Sequence, residues 1–165
     1  MSPASKRIGS LASLLATTIV IALALNATVK PAALAQTGSG DKKAGDPLYS
    51  EYKGVRIGMT AAEARKKLGK PTSTADDQDF YEVSETESAQ VYYDKERKVF
   101  AVAVSYLGEK SAAPAPKLVL GEEVQAKADG SIYKLIRYQG AGFWVSYYRT
   151  AGTDPLVTVT MQKLQ

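Results

Sequence analysis

The sequence contains no cysteine and no histidine. Without cysteine there is no disulfide framework, no cysteine nucleophile and no zinc–thiolate centre. The same absence speaks against a lipoprotein anchor, which needs a cysteine at its cleavage point. Without histidine the commonest general base and the commonest metal ligand are missing. No Gly-x-Ser-x-Gly turn or phosphate-binding loop occurs. An enzyme built on this chain would need a Ser–Lys arrangement or an acid pair, and no motif places either. The chain therefore reads as non-catalytic and without a cofactor. Tryptophan is scarce too, occurring once, at Trp144.

What is present begins with Lys6 and Arg7, followed by an apolar run densest from Leu11 to Leu25 and by Ala33-Leu34-Ala35 before Gln36. This is the layout of a secretory signal peptide over 1–35. The dense run falls short of the roughly 20 residues that a spanning helix needs, so the expectation is cleavage near Ala35 and a periplasmic or secreted product. Three of the 21 basic residues and none of the 17 acids lie in that segment. The remainder carries 18 basic and 17 acidic residues, a net of +1. That balance gives no electrostatic footprint for nucleic acid. Residues 36–47, rich in Gly, Ser, Lys and Asp, read as a disordered leader.

The best-marked element runs from Gly58 to Pro71. Thr60 is a good N-cap and Glu63, three residues on, completes a capping box. Ala61, Ala64 and Leu68 form a narrow apolar stripe. Arg65, Lys66 and Lys67 suit the negative end of the helix dipole as a solvated basic face. Gly69 and Pro71 stop the helix. At about two turns, it needs a packing partner.

Strand patterns follow. Phe80–Glu85, Gln90–Tyr93 and Val99–Tyr106 are candidates in the first half. Ser131–Tyr138, Phe143–Arg149 and Leu156–Gln162 are candidates in the second. Asp76, Asp77 and Asp79 form an acidic knot without the EF-hand spacing, which reads as a plain loop. Residues 108–117 read as a linker. A second, degenerate helix is expected from Leu120 to Ala128, unless 122–128 begins a hairpin turning at Asp129-Gly130. Val91-x-Tyr93 is matched by Val145-x-Tyr147. Phe100, Val102 and Val104 are matched by Val157, Val159 and Met161, as a duplicated helix-plus-hairpin unit would require.

Ile57-Gly58-Met59-Thr60, Glu63-Ala64 and Leu68-Gly69-Lys70-Pro71, followed by an alternating hairpin, resemble the SmpA/OmlA (BamE-like) domain. The stretch is also similar to the β-lactamase inhibitor protein-like fold. The match covers 55–106, with a degenerate second unit over 118–162. The resemblance implies an α+β fold, with short helices packed on one face of an antiparallel β-sheet in two tandem units, 48–107 and 118–165. It also implies a non-enzymatic envelope module. BamE-like members are lipoproteins that assist outer-membrane assembly, and inhibitor-like members carry disulfides. A chain without cysteine departs from both.

Alternation assigns the faces of such a sheet. Val91, Tyr93, Phe100, Val102, Val104, Val145, Tyr147, Val157, Val159 and Met161 are expected towards the helices. Tyr92, Trp144 and Tyr148 then fall on the open face beside Ala101, Ala103, Thr158 and Thr160. Aromatics over a floor of small residues make a docking surface, with Arg137 as a charged rim contact. The bland alternative is that these aromatics are cross-strand pairs that stiffen the sheet. The expected partner is a periplasmic or envelope protein. The alternative is cell-wall glycan or a small ligand, since aromatic floors also stack sugars.

Overall fold

The computed structural model describes Gly45 and residues 47–165. The expected signal segment at 1–35 and nearly all of the leader at 36–47 lie outside the described residues. In chain order the elements are α1 (Ala61–Leu68), β1 (Ser73–Thr74), β2 (Gln78–Ser84), β3 (Glu87–Tyr93), β4 (Val99–Leu107), α2 (Pro116–Leu120), β5 (Ile132–Tyr138), β6 (Phe143–Arg149) and β7 (Leu156–Lys163). The class is mixed α+β. All seven strands join one antiparallel sheet in the order β1-β2-β3-β4-β7-β6-β5.

Helix α1 starts and stops where its end signals place it. The Thr60 hydroxyl accepts from the Glu63 N–H, and the Glu63 carboxylate accepts from the Thr60 N–H at 2.8 Å. Two of the helix's orphan donors are satisfied in this way. At the other end Gly69 adopts φ 84° and its N–H returns to the Arg65 carbonyl at 2.8 Å. Ala61 and Ala64 are buried in the same apolar cluster as Val91, Val102 and Met161.

The second helix differs from its expected span of Leu120–Ala128. It covers Pro116–Leu120 and ends at Gly121, which takes a left-handed conformation at φ 78°. Pro116 opens it because a fixed φ and a missing N–H cost nothing at the first helical position. Composition marked 108–117 as linker, and the helix begins inside that stretch. Residues 122–128 form neither helix nor strand. They lead to a turn in which the Gly130 N–H donates to the Lys127 carbonyl at 2.9 Å.

Apart from a register shift in β2 between Glu82 and Ser84, the strands follow the alternation with one exception. Val91, Val102, Met161, Val145 and Ile136 lie on one cross-strand row, and the first four are fully buried. Tyr81, Val104, Val159 and Tyr147 fall on the same face one row away and are buried as well. The exception is Phe100, expected on this core face. The β3–β4 register shifts between Tyr92 and Tyr93, so that Tyr93 opposes Val99 and Tyr92 opposes Ala101. Phe100 is the extra residue of this bulge. Val99 takes the core position, and the Phe100 ring lies 6.1 Å from the Tyr92 ring on the other face.

Candidate functional site

Strand register places all four expected residues, Tyr92, Trp144, Tyr148 and Arg137, on the face opposite the apolar core. One row crosses five strands: Tyr92 on β3, Ala101 on β4, Gln162 on β7, Trp144 on β6 and Arg137 on β5. The next row runs from Gln90 through Ala103, Thr160 and Ser146 to Leu135. The third runs from Ser88 through Ser105, Thr158 and Tyr148 to Tyr133. Arg137 therefore faces Trp144 directly across the ladder, and Tyr148 faces Tyr133.

The cross-section is a shallow trough. Its floor is made mostly of short side chains, Ala101, Ala103, Ser105, Ser146, Thr158 and Thr160, with the longer Gln162 between Ala101 and Trp144. Ala101 and Ser146 are buried on this face without belonging to the main apolar core. Tyr92 and Phe100 form one wall, and Trp144 with the Tyr133–Tyr148 pair forms the other. Strands spaced about 4.8 Å apart put three steps, about 14 Å, between the Tyr92 and Trp144 backbones. Tyr133 and Tyr148 are 52% and 41% exposed, so their rings are available to a partner. Tyr92 is better fixed: its hydroxyl donates to Gln90 Oε1 at 2.8 Å, and burial, followed by the charge of Asp77, raises its pKa. Ala113 of the 108–115 segment packs against the core cluster, and Tyr148 and Tyr133 remain exposed.

Sequence reasoning missed Tyr133, Leu135 and Phe100 as members of this face. Tyr133 and Leu135 were detectable, because both sit at period-two spacing from Arg137. Phe100 was not, because its placement depends on the partner strand.

The strongest electrostatic cluster lies on the core side. Asp79 was expected in a plain acidic loop. It is instead a fully buried β2 residue. Arg65 donates to it twice, Nε to Oδ2 and Nη2 to Oδ1, each at 2.8 Å. The Tyr93 hydroxyl donates to Oδ2 at 2.7 Å. Burial alone would raise the Asp79 pKa, but the hydrogen bonds from Arg65 and Tyr93 outweigh it and hold the carboxyl below its usual range. Arg65, read from sequence as part of a solvated basic face, is thus a tie between α1 and the sheet. Arg97 adds a cation 5.2 Å from the Tyr93 ring centre and donates to the Asp76 carbonyl. With both Asp79 oxygens engaged, this cluster is a structural clamp.

A second tie closes the far end of β3. The Tyr52 hydroxyl donates to Glu87 Oε1 at 2.5 Å, and Lys53 Nζ stands 3.5 Å from the same oxygen. Burial, reinforced by the Glu87 charge, pushes the neighbouring Tyr106 phenol up to about 12.

Searches against protein-family models, characterised proteins and solved structures return no match for this chain.

Proposed function

We propose that this chain is an exported, non-catalytic binding module of the cell envelope, which recognises a protein partner through the open face of its sheet. The observation that carries this reading is the row Tyr92, Ala101, Gln162, Trp144 and Arg137, with rigid amphipathic rings beside the small side chains of the two neighbouring rows. Tyr, Trp and Arg are the residue types that anchor protein interfaces. About 14 Å of backbone spacing separates the Tyr92 and Trp144 strands, so the face spans more than a single sugar ring. The partner should present apolar surface to the floor and a carboxylate to Arg137.

Two further features support an envelope-assembly or inhibitor-like role, the one implied by the resemblance to BamE-like and inhibitor-like domains. Ala61 and Ala64 of α1 and Val119 and Leu120 of α2 share one apolar cluster with the core face of the sheet, in keeping with helices packed on one side only. The strand order sets β2-β3-β4 beside β7-β6-β5. Leaving aside the two-residue β1, each half contributes a helix and a three-stranded meander, with the third strands adjacent, as a tandem duplication would.

Pull-down from envelope extract, with the chain and with a Trp144→Ala/Tyr148→Ala variant, tests the proposal. Loss of a specific partner by the variant supports it. Retention of every partner rules out this face.

The second reading is binding of cell-wall glycan or a small ligand. It is favoured by the neutral hydroxyl and amide groups of Gln90, Gln162, Thr158 and Thr160 beside the rings. Trp144 is the only tryptophan and its emission separates the two. Quenching by wall fragments but not by envelope proteins would favour glycan.

A further inference from the structure

We infer that the outer edge of β5 pairs with the same edge of a second copy of this chain, antiparallel and centred on Leu135. This goes beyond the open-face reading and does not depend on it.

The two edges of the sheet are built differently. At one end the outermost strand, β1, is two residues long, and the register of β2 shifts between Glu82 and Ser84. Short strands and bulges are what keep an edge from pairing with another chain. At the other end β5 pairs with β6 through seven consecutive residues without a shift. Ile132–Tyr138 contains no proline and no glycine. Its outer edge has no strand beside it among the described residues. Such an edge is a template for a further strand.

The sequence of β5 selects its own copy as that strand. A two-fold axis at Leu135 sets Ile132 against Tyr138 of the copy, Tyr133 against Arg137, Lys134 against Ile136 and Leu135 against Leu135. All seven residues are used and no like charges meet. On the open side the Arg137 cation meets the exposed Tyr133 ring, a favourable cross-strand partner. On the core side Ile132 and Tyr138 are already buried, so the apolar layer reaches the edge and continues into the copy. Lys134 is turned back towards Glu122 at 3.6 Å and does not guard the edge. Alternatives are worse. Centring on Lys134 or Arg137 opposes identical charges, and centring on Ile136 or Tyr133 opposes none, but pairs only residues 134–138 or 132–134. Sliding by one residue sets Lys134 against Arg137 and turns core side chains to the open face. A contact through one strand edge is small beside the roughly 1,200 Å² of a stable interface, so the pairing is a reversible, concentration-dependent dimer.

The test is sedimentation of the purified chain over a wide concentration series. The expected result is a monomer–dimer equilibrium. Leu135→Lys and Leu135→Glu should each abolish the dimer by placing like charges on the axis, and an equimolar mixture of the two should restore it. Far-ultraviolet circular dichroism checks that both variants fold. Leu135→Cys keeps the edge apolar and supplies the only thiol in a chain without cysteine. It should form a disulfide-linked dimer on mild oxidation, whereas Leu107→Cys, exposed elsewhere, should not. A wild-type chain that stays monomeric throughout overturns the proposal. So does a dimer that survives Leu135→Lys, or a folded mixture that fails to pair. If the charged variants do not fold, the Leu135→Cys cross-link decides alone: its formation supports the pairing and its absence overturns it.

Discussion

Arg65 on α1 grips both carboxylate oxygens of Asp79 on β2, at 2.8 Å each, and Asp79 has no exposed side-chain surface. Removing one partner of such a pair strands the other in the interior. Arg65→Ala should therefore destabilise the chain by about 3 kcal/mol, the lower end of the range for broken buried pairs, because the guanidinium is partly solvated. Arg65→Lys should recover only part of this loss, since an ammonium cannot make the two-pronged contact. Tyr93→Phe should cost about 1.5–3 kcal/mol, as expected for a hydrogen bond to a charged group. Urea unfolding followed by Trp144 fluorescence measures all three.

The same carboxylate sets an acid limit. Its folded pKa lies below the ordinary value of 3.8. Its contribution to stability is fully present above that value and is lost as pH falls through the folded pKa. Stability should decline below about pH 4, and Asp79→Asn should flatten that decline while lowering stability at neutral pH. A series of urea midpoints against pH would show both effects. An undiminished acid slope in the variant would remove Asp79 as its source.

An alkaline limit follows from Tyr81 and Tyr106, whose phenols are raised from 10.0 to about 12, chiefly by burial. A raised folded pKa gives stability that is present below the unfolded value and is lost as pH rises through the folded one. Unfolding should therefore set in between about pH 10 and 12. Tyrosinate absorbance during an alkaline titration should show a late, cooperative component that coincides with loss of the circular dichroism signal.

The capping box gives a local prediction. Thr60→Ala removes the acceptor for the Glu63 N–H and should cost about 1 kcal/mol, whereas Thr60→Gly should cost only a few tenths. Thermal melts of the two variants order them.

Binding and stability should separate on the open face. Tyr133 and Tyr148 are exposed, so Tyr133→Ala and Tyr148→Ala should each shift stability by roughly 0.5 kcal/mol or less. If the face is the docking surface, Tyr148→Ala should still weaken partner capture by at least tenfold. A large stability loss with unchanged capture would mean that the rings only stiffen the sheet.

What was legible in the sequence was what is local. Thr60 and Glu63 sit one helical turn apart, so a single turn of chain contains the whole signal. Trp144 and Tyr148 share a face because both sit at period-two spacing on one unbroken strand. What was not legible depends on a partner far along the chain. Phe100 changes face because β3 and β4 slip by one residue at Tyr92 and Tyr93, and nothing within β4 encodes the slip. Asp79 looked like a loop acid because it closes the polar, turn-rich stretch 70–79 together with Asp76 and Asp77. Only the approach of Arg65 and Tyr93, each 14 residues away, turns it into a buried anchor. The second helix was misplaced because Pro116 was read as the end of a linker and not as a helix start.

The meeting of β4 and β7 has a consequence for how this chain can be cut or assembled. Residues 101–107 pair with 156–162 at the middle of the sheet. Neither half of the polypeptide has this central ladder until the last strand has arrived. The loop-closure entropy of that long-range pairing falls late, on a chain that must already hold two separate meanders. Cleavage within 108–115 would leave two fragments, each with a long apolar strand bare on the side where its neighbour belongs. The natural fate of such fragments is to find each other. Co-expressed halves should recombine into one folded particle, and either half alone should be prone to aggregate.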